Sequence, residues 1–478
     1  MSPSTCQSPF QPATAHSIPS LPCWITEIIC PLNNHTRLSC IRILKIPLKW
    51  EHTWFLNSPT RTLRKRYRGG AMVKVLIQNV RVFDSETILE PGNVVFTRSA
   101  GNIQNYMADD SDAETSDFVI DGRGCTLIPG LIDVYANVKG ANAALGMYAS
   151  LGVTTILDMS STTQQCQAMR VYAAGRTGIS SFLTCGTEPS PARGYQPQLY
   201  DSPDSYIIRT REDAVAYVSL KSSGPDSSDF IKVSVDPESF DDDILKTLAD
   251  AAHAHGKLII ARTAGKASYE RALRAGFDVF AHAPLDAPID TVLARRMAAK
   301  NAIFVPTLTM MRRRALTNDP TADNTTTEPS HSFDRTTANR DPVERPRTDV
   351  VPGGSYDHAT QSVRTLHEAG VTICAGTTAN PVLGSQIPFG DSLHEELRLL
   401  VEAGMPVIHA LRSATCVAAT AFRLSDRGIV RGGLRADLVL VEGNPLEDIT
   451  ATRKIRKVWI RGEEIEPSVA ARGGGKHT

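Results

Sequence analysis

The stretch LIPGLIDVYANVKG, residues 127–140, sets a glycine turn ahead of a short apolar strand that ends in polar side chains, Asp133, Tyr135 and Asn137. A parallel barrel strand carries its functional groups at such a C-terminal end. The same pattern repeats downstream. Candidate strands cover 131–137, 153–158, 179–186, 230–236, 258–263, 279–282, 303–308 and 371–377, and helical segments such as REDAVAYVSLK, DDDILKTLADAAHAHG and ASYERALRAG stand between them, several closed by glycine. Eight β/α rounds predict an α/β fold, a (β/α)8 TIM barrel over residues 131–424.

Both flanks read as β structure. Short alternating strands fill VKVLIQNVRVFD, GNVVFTRSAGNIQNY and DFVIDGRGCTLIPG before the barrel, and ADLVLVEG and KIRKVWIRGEEI give the same signal after it. Residues 72–130 and 425–470 are therefore expected to form one composite β-sandwich into which the barrel is inserted. Residues 318–354 are polar, proline-bearing and poor in large apolar side chains, which predicts a mobile loop after the seventh strand. A lid and an insertion without a role both remain open for it. Residues 471–478 read as a tail.

The chain has 478 residues with 51 basic and 51 acidic side chains, so no overall field favours nucleic acid or a membrane surface. A small-molecule partner is expected. Residues 1–71 differ: they hold nine Lys and Arg against two acids, three of the four tryptophans, and no sustained apolar periodicity. A mitochondrial-type presequence, a disordered tail and upstream sequence outside the functional protein all suit this extension. The last is favoured, because Met72 is followed at once by a clean strand. No basic region leads into an unbroken apolar core, no apolar run reaches the ~18 residues of a membrane span, and Cys125, Cys166, Cys185, Cys374 and Cys416 form no CxxC pair. A reduced, cytoplasmic location follows.

Strand parity selects the side chains that converge at the barrel mouth. In FIKVSVD, Ile231, Val233 and Val235 suit the helix layer, which turns Lys232, Ser234 and Asp236 inward. The same alternation turns Asp133, Tyr135 and Asn137 inward, sets Arg262 and His282 on the inner faces of LIIART and VFAHA, and places Cys374, Gly376 and Thr378 inward. Cys185, Glu188 and Tyr195 follow the third strand and either line the pocket or simply pack. His253 and His255 lie two apart on a helix and cannot chelate one ion together. His394 stands where Ser392 and Glu395 have capping-box spacing, so local structure accounts for it, with a place at the mouth still open.

VIDGRGCTLIPGLID, LGVTTILDM, DFIKVSVD, RALRAGFDVFAHA, AGTTANP, SLHEELRLLVEAG and GLRADLVLVEGNPLEDI together resemble the amidohydrolase superfamily, in its imidazolonepropionase-like and prolidase-like branch, over residues 72–465. The resemblance implies one or two divalent metals, usually zinc, at the mouth. Their ligands would be an HxH pair ending the first strand, a carboxylated lysine on the fourth, histidines on the fifth and sixth, and an aspartate on the eighth. At those places this sequence has Tyr135 and Asn137, Lys232, Arg262, His282 and Thr378. Only Lys232 and His282 keep the pattern. A catalytic zinc needs about three protein ligands, and Arg262 puts a permanent positive charge where the cation would sit. No metal and no other cofactor is expected.

The residues themselves suggest metal-independent chemistry at the carbonyl carbon of a small molecule: hydrolysis of an amide, lactone or ester, or a lyase step. Lys232, with its pKa lowered by nearby cations, would be base or nucleophile. Arg262 would hold a substrate carboxylate or an oxyanion, Tyr135 or His282 would exchange protons, and Asn137, Thr378 and Asp133 would contact substrate. Three alternatives stay open. Lys232 can pair with Asp133, Asp158 or Asp236 in a relic polar network. The chain can be a pseudoenzyme, an inactive binding or regulatory barrel. It can also be a weak metal-dependent hydrolase, with zinc a possible metal, using a Lys232 carbamate, His282 and Asn137. The resemblance further implies a homodimer, and such divergence suits specialised metabolism.

Overall fold

The computed structural model describes residues 73–98, 101–106, 115–174, 176–192, 204–236, 239–263, 265–318, 354–383 and 386–468. The 1–71 extension, the 318–354 loop apart from its two end residues, Tyr195 and the 471–478 tail lie outside them. Among the described residues no helix is long and apolar enough to cross a membrane.

Eight parallel strands form the barrel: Leu131–Ala136, Val153–Asp158, Ser181–Thr184, Ile231–Val235, Ile259–Thr263, Val279–Ala281, Ile303–Val305 and Thr372–Ile373. The first three make one ladder and the last five another. The seams close through backbone bonds outside these ladders: Asp229 N–H donates to the Thr184 carbonyl at 2.7 Å, and Val134 N–H to that of Ala375 at 3.1 Å. Helices cover the outside because their apolar residues recur at helical spacing. In Asp242–Ala254, Leu245, Leu248, Ala249 and Ala252 are buried, and they share a core with Ile231, Val233 and Val235. Helix Lys266–Ala275 ends at Gly276, whose φ of 92° lets the chain turn back, with Phe277 N–H reaching the Ala272 carbonyl at 3.0 Å. Ile132, Val134, Leu157, Ile260, Val279 and Val305 fill the barrel interior as a separate cluster.

Strands from both ends of the chain share one eight-stranded sheet. The join is the antiparallel pairing of Cys125–Pro129 with Leu438–Glu442, from Leu438 opposite Pro129 to Glu442 opposite Cys125. Alternation explains how both faces are used. Leu127, Leu438, Leu440 and Trp459 point into the small domain's own core, whereas Ile128, Val439, Val441 and Val458 join the core of the barrel and its helices. Trp459 is fully buried and meets Phe96 edge-on at 5.3 Å between ring centroids. The fold is a TIM barrel with a small β domain built from both flanks.

Candidate functional site

The first barrel strand breaks strict alternation. Its pairing with the second shifts between Leu131 and Ile132 and again between Asp133 and Ala136. Val134 and Tyr135 therefore both belong to the interior cluster. Asp133, expected at the mouth, is fully buried against the helix layer. It accepts the Tyr148 hydroxyl at 3.3 Å, the Thr377 hydroxyl at 2.6 Å and the backbone N–H groups of Tyr135 and Thr377 at 3.1 and 3.2 Å. Burial raises its carboxyl to about 6 against these donors. The residue ties the first strand to the eighth, and its assignment as a substrate contact is corrected. Asp133→Ala should cost about 2–4 kcal/mol in denaturant unfolding because four donors lose their acceptor. A large rise in KM with unchanged stability would contradict this placement.

Asn137 and Thr378 do stand together at the strand ends. Thr378 N–H donates to the Tyr135 carbonyl at 2.6 Å and Asn137 N–H to that of Ala379 at 2.8 Å. Asn137 Oδ1 and Thr378 Oγ1 are buried with no hydrogen-bond partner among the described residues. Thr378 is held at φ 59°, a backbone region that L side chains seldom occupy. Gly376 makes the packing possible: a Cβ there would lie 2.7 Å from Tyr135 Cβ and 2.7 Å from Val305 Cγ1.

Lys232 projects inward from the fourth strand and is 6% exposed. Its Nζ donates to the Met159 carbonyl at 2.8 Å and lies 3.7 Å from a Glu188 carboxylate oxygen, which also accepts the Ser234 hydroxyl at 3.1 Å. Burial alone would lower the ammonium pKa, but the Glu188 carboxylate opposes it and the result is raised. Tyr135 and Cys185 are both held protonated by burial, so Glu188 supplies the compensating charge at neutral pH. The expectation of a lowered Lys232 is therefore reversed. The pairing with Asp133, Asp158 or Asp236 is replaced by one with Glu188, which arrives from the loop after the third strand.

His282 is 3% exposed. Its Nδ1 is 2.7 Å from the Thr307 hydroxyl, and its ring meets Tyr135 edge-on at 4.9 Å. Burial, then the positive charges of Arg314, Arg262 and Lys232, pushes its pKa well below the usual imidazole value, so the ring is neutral at neutral pH. Arg262, less buried than its neighbours, has Nη1 3.7 Å from Asp236. Lys232 Nζ lies 5.9 Å from the Tyr135 ring centroid. The mouth thus combines two cations, each beside a carboxylate, with a neutral imidazole and a buried phenol. Among the described residues no group of three or more His, Cys, Asp or Glu side chains is gathered so that it could hold a metal ion.

Thr307 and Arg314 are neighbours that parity does not reveal, because a loop and a helix deliver them, and Glu188, a possible lining residue by its place after the third strand, meets Lys232 from a loop that parity does not cover. His394 belongs elsewhere: its ring bonds the Thr452 hydroxyl and the Leu151 carbonyl, each at 3.0 Å. Its expected capping box is absent too, since Gly390 is the N-cap and the Ser392 hydroxyl donates to Pro388.

Residues 126–465 match the Amidohydrolase family. Among curated proteins, adenine deaminase 2 of Desulfotalea psychrophila is 40% identical over 76 residues, 16% of this chain and 12% of that protein. Adenine deaminase 2 of Rhizobium etli is 39% identical over 106 residues, 21% of this chain and 16% of that protein. These matches cover less than a fifth of either relative's length. Among solved structures, a Xaa-Pro dipeptidase with bound methionine in the active site superposes with a TM-score of 0.64 at 19% identity, over 82% of this chain and 99% of that one. A putative prolidase from Bifidobacterium longum gives 0.64 at 22% identity, over 83% and 96% of the two chains. The ochratoxinase of A. niger gives 0.64 at 18% identity, over 84% and 97%. Likeness at this identity is likeness of fold. With the family matched through the barrel and into the C-terminal strands, the chain belongs to the amidohydrolase family.

Proposed function

We propose that the protein hydrolyses a small molecule at a carbonyl carbon, that the substrate carries a carboxylate, and that the reaction uses no metal. The observation that carries this reading is the juxtaposition of two cations, Lys232 and Arg262, with the neutral imidazole of His282. Arg262, partly exposed, suits the substrate carboxylate. Lys232, dry and charged, suits the oxyanion that develops when water attacks the carbonyl. His282 takes the proton of that water, with the Thr307 hydroxyl at Nδ1 fixing its ring.

The ion pair with Glu188 favours hydrolysis over a lysine-dependent lyase step. A Schiff base needs a neutral amine, and so does the carbamate form of a metal-binding lysine; the Glu188 carboxylate withholds both. The donors at the mouth do not fit a catalytic divalent cation: the Glu188 and Asp236 carboxylates are engaged by Lys232 and Arg262 and burial keeps the Cys185 thiol protonated, which leaves His282 short of the about three ligands a zinc site needs.

The test is a panel of N-acyl amino acids, dipeptides and hydroxy-acid esters, assayed with chelator-treated protein. Carboxylated members should turn over and their methyl esters should not. Lys232→Met should lower kcat/KM by about 10²–10³-fold, and Lys232→Arg should recover much of the loss because the charge is kept. Activity that disappears on chelation and returns with zinc, or stoichiometric metal in the purified protein, would sink the metal-independent reading. Saturable binding without turnover of any member would move the protein to the inactive-barrel reading.

A further inference from the structure

A cavity of about 780 Å³ opens at the end of the barrel opposite the mouth. Its walls include Ile303 and Thr372, the first residues of the seventh and eighth strands, together with Val417 and Thr420 of helix Cys416–Ala421. The turn between strands Lys74–Phe83 and Ile88–Thr97 adds Ser85, and Val430 follows from the returning chain. The volume lies within the roughly 300–1,000 Å³ of small-molecule sites.

Two polar groups on its lining have no hydrogen-bond partner among the described residues. Ser85 is 6% exposed, and its hydroxyl oxygen is buried without a hydrogen-bond partner among the described residues. Nε of Arg412, another lining residue, is buried in the same condition, and Arg412 makes no ion pair among the described residues. Ser85 is moreover held at φ 87°, where glycine would be the cheaper choice. The turn keeps it there: Asp84 Oδ1 accepts the N–H groups of Glu86 and Thr87 at 2.9 and 2.8 Å. Two buried donors left open, each costing on the order of 1–3 kcal/mol, point to a ligand acceptor.

We propose that this cavity is a second ligand site, distinct from the mouth, for a small organic carboxylate with an apolar body. The carboxylate meets the Arg412 guanidinium and the Ser85 hydroxyl, and the body lies against Ile303, Val417 and Val430. Asp84 and Glu86 line the cavity along with Arg412 and Arg431, so the formal charges of the lining balance, which suits a single negative charge better than a polyanion such as a nucleoside triphosphate.

Phenylacetate titrated by calorimetry into Arg262→Met protein tests this, because that background removes the mouth's carboxylate-holding cation. One saturable binding event is expected. Arg412→Met should weaken it at least about tenfold, and so should Thr420→Trp, which fills the cavity from an exposed helix position and covers the case in which the arginine variant fails to fold. Binding unchanged by both variants would place the ligand at the mouth and overturn the proposal. So would the absence of saturable binding at about 10 mM, which would leave a cavity holding water only.

Discussion

His282→Gln is expected to lower kcat by about 10²–10⁴-fold while the protein stays folded. The imidazole is unprotonated at neutral pH, whereas Lys232 is held charged, Tyr135 is held protonated and the Glu188 and Asp236 carboxylates are engaged by Lys232 and Arg262. The pH profile separates this role from a structural one. Burial and the flanking cations lower the pKa of His282 well below 6.5, so its basic form persists as the solution is acidified. The acid limb of kcat/KM should fall at a pH clearly below 6.5, and His282→Gln should remove that limb. A limb at the ordinary imidazole value, or one that survives the substitution, would exclude His282 as the base.

The largest expected loss of stability is at Glu396. This side chain, fully buried on helix Asp391–Glu402, accepts the Leu308 N–H, the Thr309 N–H and the Thr309 hydroxyl, each at 2.7 Å. It thereby caps helix Leu308–Asn318 from a neighbouring helix, satisfying donors that would otherwise be orphaned. Glu396→Ala should destabilise the protein by about 3–5 kcal/mol in urea unfolding. Burial holds the folded-state carboxyl up to about 7, above the ordinary 4.5. The stability linked to this proton is present below pH 4.5 and lost as pH rises through about 7, and that pH dependence should vanish in the variant. The capped helix begins immediately after Thr307, whose hydroxyl bonds His282. Activity should fall along with stability. A variant as stable as the parent would refute the cap.

The eight strands were legible because each is a short apolar run, and several of the helices between them close on glycine. Lys232, Arg262, His282, Tyr135, Asn137 and Thr378 followed from parity, and the structure does bring them to one end of the barrel. Parity failed at Asp133, because one irregularity in strand pairing sends Val134 and Tyr135 to the same side. It also said nothing about Glu188, a loop residue whose distance from Lys232 depends on tertiary folding; reading Lys232 without it inverted the sign of the pKa shift. Glu396 carries a signal of its own in the sequence. Leu393, Leu397 and Leu400 form the buried stripe of their helix, and Glu396 lies on that stripe at helical spacing. An acid on an apolar stripe needs donors, and the sequence does not say which.

The ladder between Cys125–Pro129 and Leu438–Glu442 sets an order of events during synthesis. The segment that leads into the first barrel strand waits for a partner roughly 300 residues later, a closure costing on the order of 5 kcal/mol in chain entropy. Until the ribosome has released that partner, Leu127 and Ile128 have no neighbour on this edge, and the apolar faces flanking them stay open to other chains. The small domain is thus the last part of the molecule able to finish, and truncations near the C-terminus should leave aggregating protein even though every residue of the mouth is present.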